Sequence, residues 1–292
     1  MVDDTLRTIG QTHASMGTPD PRINAFGKID FRLQRQLACY AKADPPPSRV
    51  KPIPLPILQQ ATNMCHLNGD AASLAIADML ILGFFFLLRP GEYASTANVD
   101  STPFRVCDVR LFIGPRRLCV LTSPPELLLN ATFVGLEFTN QKNAVRGEVI
   151  GLARSGSPIW CPVAAVIRRL LYLRPLQAPP TTPLYSYLSP TSQAWCAVTS
   201  AHLTTHLRAA AHAMGEPFGI LPADISARSL RSSGAMALLC SKLDTDQIRL
   251  LGRWRSDEML RYLHVQAYPL VSHLAATMLQ HGTFHFIPAQ PL

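Results

Sequence analysis

The sequence predicts a mainly α protein with a small antiparallel β-sheet, an α+β class. Three observations carry that expectation. Apolar runs of helical length occupy the chain before residue 90 and after residue 160. Between Pro103 and Leu152 the apolar residues fall instead into short runs rich in Val, Phe, Ile and Thr, separated by turn residues. The composition, 48% hydrophobic against 16% charged over 292 residues, is that of a chain with a substantial core.

Taken in order, residues 1–44 hold polar turns and one helix, Asp30–Lys42, with Asp30 as its N-cap. The stretch "ADPPPSRVKPIPLP" is too dense in proline for helix, so an extended linker and a domain boundary are expected over 45–56. The segment from Pro56 to Leu67 and the run from there to Leu88 read as two helices, broken near Asn68-Gly69-Asp70. The second, "AASLAIADMLILGFFFLL", approaches the ~18 apolar residues of a membrane span. Asp78 interrupts it and Arg89-Pro90-Gly91-Glu92 ends it sharply, which fits a helix buried inside a large domain, so no membrane partner is expected.

"FRVCDVRLFI", "RLCVLT", "ATFVGLEFT" and "RGEVIGL" read as three or four antiparallel strands, with turns at Gly114-Pro115 and Asn140–Asn143. A helix over Cys161–Arg174 and a proline-rich loop follow. Helices are then expected over 198–214, 226–241, 244–252, 256–265 and 268–280.

The seven cysteines are scattered, odd in number and without a Cys-x-x-Cys pair, so neither a disulfide framework nor a zinc site is expected, and a reducing compartment is. The first residues lack the basic start and apolar run of a signal peptide. His202 and His206 are spaced i, i+4 on a helix, but no accompanying Glu makes a zincin pattern; metal and cofactor are both expected to be absent. Carboxylates such as Asp100, Asp108, Glu126 and Glu137 are dispersed, which disfavours a two-metal nuclease.

Net charge is +8, and only five of the 27 basic residues are lysine. Arginine gives planar, bidentate phosphate contacts, so the bias suits a nucleic-acid partner; a genome-composition bias would produce the same skew. Three basic clusters stand far apart. In "LLRPGEYAS", Arg89 ends the buried helix, where it can also serve the last carbonyls. In "FTNQKNAVRGEV", Lys142 sits in a hairpin turn, where a lysine is commonly just solvated. In "SARSLRSSGAMALL", Arg228 and Arg231 lie three apart, hence on one helical face with Leu230, Ala237 and Leu238 as apolar support. "LLGRWRSDEMLRYLH" then sets Arg253, Trp254, Arg255 and Arg261 around Tyr262.

The order and spacing of these clusters resemble the tyrosine recombinase (phage integrase) family over roughly residues 50–280. The segment "SLRSSGAMALL…LDTDQIRLLGRWRSDEMLRYLH" is the most specific part, and its wording is similar to recombinases of eukaryotic mobile elements of the crypton or DIRS-like kind. The resemblance implies the DNA breaking–rejoining catalytic fold over 57–292, with residues 1–44 as the last portion of a helical core-binding domain. It implies cleavage and rejoining of double-stranded DNA through a 3′-phosphotyrosine, without metal or ATP, in a homo-oligomer (a tetramer on DNA) in the nucleus.

Residue by residue, Arg89 matches the first arginine, Glu92 the acid that braces it, Lys142 the hairpin lysine, Arg231 the second arginine and Tyr262 the nucleophile. Two positions depart. Arg228 stands where the family usually has His. Arg253 stands where His or Trp is usual, and Trp254, one step later, is assigned that role. Arginine keeps the charge of histidine but cannot act as a base. A DNA-binding remnant that no longer cuts is therefore the alternative, and relaxation of the type IB topoisomerase kind a second one.

Overall fold

The computed structural model describes residues 2–43, 50–97, 102–139 and 147–254. About half the chain is helical and its sheets are small and antiparallel, an α+β arrangement. The chain divides into two units, Met1–Arg49 and Val50–Leu292.

In the first unit, α2 (Phe31–Ala43) matches the expected helix, and Asp30 caps it by accepting from the Arg32 N–H at 2.8 Å. A preceding helix, α1 (Val2–Ser15), was not expected. Val2, Leu6 and Ile9 stand at i, i+4 and i+7 and give it a narrow apolar stripe, while the rest of its sequence is polar and Gly10 interrupts its interior. Between the two, an antiparallel bridge joins Ile23 and Ile29.

The second unit begins with an extended strap, not a free linker. The Lys51 N–H donates to the Asp224 carbonyl and its Nζ lies 2.7 Å from the Asp224 carboxylate. The Ile53 side chain is buried and its N–H donates to Ser233 Oγ at 2.7 Å. Thus the later half of the proline-rich stretch is held by hydrogen bonds that its non-proline residues still offer.

Two helices follow, α3 (Leu55–Asn68) and α4 (Ala71–Phe85), separated by Gly69 at φ 68° and by Asp70, whose carboxylate accepts from the N–H groups of Ala72 and Ser73. At 15 residues α4 is about 22 Å long, short of a ~30 Å bilayer core. No helix among the described residues is long and apolar enough to cross a membrane. The break at Asp78 has a packing explanation. Asp78 is buried and meets Arg168 of α7 (Pro162–Leu173), whose Nε donates to it at 2.7 Å. Burial pushes the Asp78 carboxyl up to about 6, with Arg168 and Arg169 opposing.

A four-residue helix, α5 (Pro90–Tyr93), precedes the sheet of β1 (Val109–Ile113), β2 (Arg116–Leu118), β3 (Phe133–Phe138) and β4 (Glu148–Ala153). Strand order is β2-β1-β3-β4, all antiparallel. Register pairs Val109 with Leu136 and Leu111 with Val134, and all four are buried on the core face. The strand expected over 117–122 ends at Leu118, and α6 (Pro125–Leu129) occupies the crossing to β3. Pro124 and Pro125 start that helix because a proline at its first turn loses no hydrogen bond.

The loop after α7 holds a hairpin, β5 (Ser186–Leu188) with β6 (Trp195–Ala197), too short to show periodicity among its prolines. The C-terminal helices are α8 (Ser200–Met214), α9 (Ser229–Cys240) and α10 (Thr245–Leu251). They agree with three of the expected helices. Those expected over 256–265 and 268–280 lie outside the described residues. The face expected for α9 is different: Ala237 is exposed, whereas Leu230 through Met236 are all buried against α4 and its surroundings.

Candidate functional site

The site is built where α4 ends. Leu87 adopts φ 51°, a left-handed conformation that costs a non-glycine residue roughly 1–2 kcal/mol. The chain turns there and delivers Arg89 to the start of α5. Glu92 closes that turn by accepting from the Arg89 N–H at 2.8 Å, and its other oxygen lies 3.5 Å from Arg89 Nη1. The Glu92 side chain is 5% exposed and that of Arg89 32%, so a buried carboxylate holds a guanidinium at the solvent edge.

Tyr93 ties α5 to the approach of α9: its buried hydroxyl donates to the Ala227 carbonyl at 2.8 Å. Burial raises the Tyr93 phenol far above the ordinary range, which keeps it a neutral donor. Nothing local in the sequence marks Tyr93, whose partner lies 134 residues away.

Arg231 lies in the first turn of α9 and is 5% exposed. Its Nη1 donates to the Leu87 carbonyl at 2.8 Å and its Nη2 to the Gly252 carbonyl. Its guanidinium carbon lies 4.2 Å from the ring centroid of Trp254. A guanidinium carries five N–H donors in a fixed fork, so it can serve carbonyls on one edge and still offer a geometry suited to an oxyanion on another. Arg228 occupies the N-cap position of α9, three residues before Arg231, and is exposed where Arg231 is buried. It lines an open groove of about 360 Å³ with Pro90, Thr96, Ser200, Thr204 and Ser226.

The turn after α10 completes the cluster. Arg253 has φ 56°, and its N–H and that of Trp254 close the helix onto the carbonyls of Leu250 and Arg249. This conformation sends Arg253 inward. Its side chain is 4% exposed, its Nη2 lies 3.1 Å from Glu92 Oε2, and its guanidinium sits 4.0 Å from the centroid of Phe138. It also reaches the Phe86 and Leu87 carbonyls at 3.3 and 3.4 Å. Burial pulls its pKa down and the charge of Glu92 pulls it back up. Trp254 is buried beside it and packs on Gly252, where a Cβ would collide with the indole.

Six of the sequence-predicted residues therefore occupy one region. Glu92 joins Arg89 to Arg253, the Leu87 carbonyl joins Arg253 to Arg231, Trp254 stacks on Arg231, and Arg228 flanks them at the groove. Lys142 and Tyr262 lie outside the described residues. The strands that flank Lys142 are in place: the Gly147 N–H donates to the Phe138 carbonyl at 2.9 Å, so the base of that hairpin is the same Phe138 that underlies Arg253. Glu92 meets the guanidinium groups of Arg89 and Arg253, Glu148 is near enough to act on Arg253, and Arg231 and Arg228 add two more cations, an excess of positive charge that suits a phosphate or another oxyanion.

Of the histidine pair, His202 and Thr199 form the reciprocal cap of α8, and His206 Nδ1 lies 2.9 Å from the His202 carbonyl. Among the described residues no group of three His, Cys, Asp or Glu side chains is placed to hold a metal. Comparison with models of known protein families finds no match, and comparison with curated proteins finds none.

Proposed function

We propose that the second unit is the catalytic domain of an enzyme of the tyrosine recombinase kind, which cuts and rejoins double-stranded DNA through a 3′-phosphotyrosine. The observation that supports this reading most is the meeting of Arg89, Arg231 and the 252–254 turn around Glu92 and the Leu87 carbonyl, from three distant stretches of chain.

A phosphodiester repels nucleophiles, and charge builds on its non-bridging oxygens as the fifth bond forms. Arg89 and Arg231 would take that charge, with Arg228 as a third cation at the groove. Tyr262 Oη attacks phosphorus; the Oη–P bond forms as the P–O5′ bond breaks. The phenol proton passes to solvent water, a loss that guanidinium groups favour for a group titrating near ~10. Lys142 transfers a proton to the departing O5′. Attack by the 5′-hydroxyl of another strand reverses these steps, so the phosphotyrosine bond carries the energy for rejoining and no ATP is consumed. The chemistry draws on no metal. In this reading the working form is a homo-oligomer on DNA, in the nucleus.

The replacement of histidine by Arg228 favours one alternative, a domain that binds duplex DNA without cutting it. Covalent trapping separates the two. Wild-type protein and Tyr262→Phe are incubated with nicked duplexes from DNA flanking the gene and from random sequence. An SDS-resistant adduct that the variant cannot form is the expected result. Salt-sensitive binding without an adduct would leave the binding domain, and neither adduct nor binding would refute both readings.

A further inference from the structure

We propose that Arg253 is a positioning residue that couples the two phosphate-holding arginines, acting from inside the domain instead of touching the phosphate itself. The proposal rests on the recombinase reading and deepens it.

The geometry carries it. Arg253 contacts both supports. It pairs with Glu92, which holds the backbone N–H and the guanidinium of Arg89, and it donates to the Leu87 carbonyl, which also accepts from Arg231. Its neighbours in sequence complete the link, since the Gly252 carbonyl accepts from Arg231 and the Trp254 ring stacks on it. Both backbone hinges of the arrangement, Leu87 and Arg253, are non-glycine residues in the left-handed region. Such conformations persist only where the surroundings enforce them, and here they meet at one carbonyl. With its side chain 4% exposed over the Phe138 ring, Arg253 is turned from solvent, whereas Arg89 reaches the edge.

The consequence is electrostatic. Glu92 divides its charge between two guanidinium groups. Without Arg253 the buried carboxylate would draw Arg89 inward, and the Leu87 carbonyl would lose one of the donors that fix Arg231 against it. Both oxyanion contacts would then lose alignment together. Lysine keeps the charge but cannot span a carboxylate and several carbonyls with one planar fork.

The test compares wild type with Arg253→Lys in rates of adduct formation on nicked duplexes, one with an ordinary scissile phosphodiester and one with a methylphosphonate there. The methylphosphonate lacks one negatively charged oxygen, so arginine alignment matters less on it. The variant should lose about 30- to 100-fold on the phosphodiester. Its Kd for duplex DNA should change by less than about threefold, and most of the rate deficit should vanish on the methylphosphonate. An equal loss on both substrates, or none on either, would overturn the coupling and leave Arg253 as packing. Should the lysine variant fail to fold, Glu92→Gln cuts the same link and is expected to show the same substrate-dependent pattern. If wild-type protein forms no adduct on any duplex, the recombinase reading itself fails, and the coupling with it.

Discussion

Arg169 and Arg231 are two buried arginines that look alike locally and serve different ends. Arg169, 2% exposed, donates to the carbonyls of Leu184 and Ser186 and lies over the Tyr172 ring at 4.8 Å. Arg231 donates to the carbonyls of Leu87 and Gly252 and stacks on Trp254. The first ties α7 to the β5 hairpin in regular surroundings, close enough to Asp78 to feel its charge. The second ties together two turns that each hold one residue at positive φ, Leu87 and Arg253, next to a second buried arginine and two cations at the surface. Capping of carbonyls by a buried guanidinium is therefore no mark of a site. The surplus of cations and the strained backbone around Arg231 are what set it apart.

The comparison is most directly broken by removing each arginine. Arg169→Ala leaves the Leu184 and Ser186 carbonyls unpaired in the core and should destabilise the second unit by about 3–5 kcal/mol, read from its denaturant midpoint. Arg231→Lys should cost less stability, yet abolish adduct formation; if Arg169→Lys instead gave the larger loss of adduct at equal folded fraction, the contrast would be wrong.

Close approach of α9 to α4 supports only the second arginine. A Cβ on Gly234 would collide with the Phe84 carbonyl, so Gly234→Ala should cost about 1–3 kcal/mol and disturb the Arg231 side first, seen as altered Trp254 emission in a Trp160→Phe, Trp195→Phe background.

Asp78 sharpens the Arg169 side. Its folded pKa of about 6 lies above the ordinary carboxyl value of 3.8, so the folded state binds this proton more tightly. The stability it contributes is complete below about 4 and lost as pH rises through about 6. Asp78→Asn should flatten that part of the pH dependence of Tm between pH 4 and 6, with no change expected in the response of adduct formation to Arg231 substitution. The smallest structural effect belongs to Arg228→Ala: a stability change within about 0.5 kcal/mol, but weaker DNA binding with the salt slope reduced by roughly one. A large loss of stability there would show that the groove-lining arginine is a brace.

Sequence alone determined the α+β class, the order of helices, sheet and helices, and most element boundaries, because long apolar runs, short β-rich runs, the Asp30 cap and the break at Asn68-Gly69-Asp70 are local signals. It also named the residues that gather at the site, through a motif. It did not reveal α6 or β5–β6, which are too short to show a period, nor α1, whose narrow stripe of Val2, Leu6 and Ile9 is set in polar sequence. Nor did it show that part of the expected linker is an anchored strap, since the partners of Lys51 and Ile53 are some 170 and 180 residues away. Only the tertiary structure decided which of Arg253 and Trp254 faces which neighbour. That direction depends on a single positive φ after α10, and the left-handed turn is held by Glu92 and the Leu87 carbonyl, which no local stretch of sequence contains.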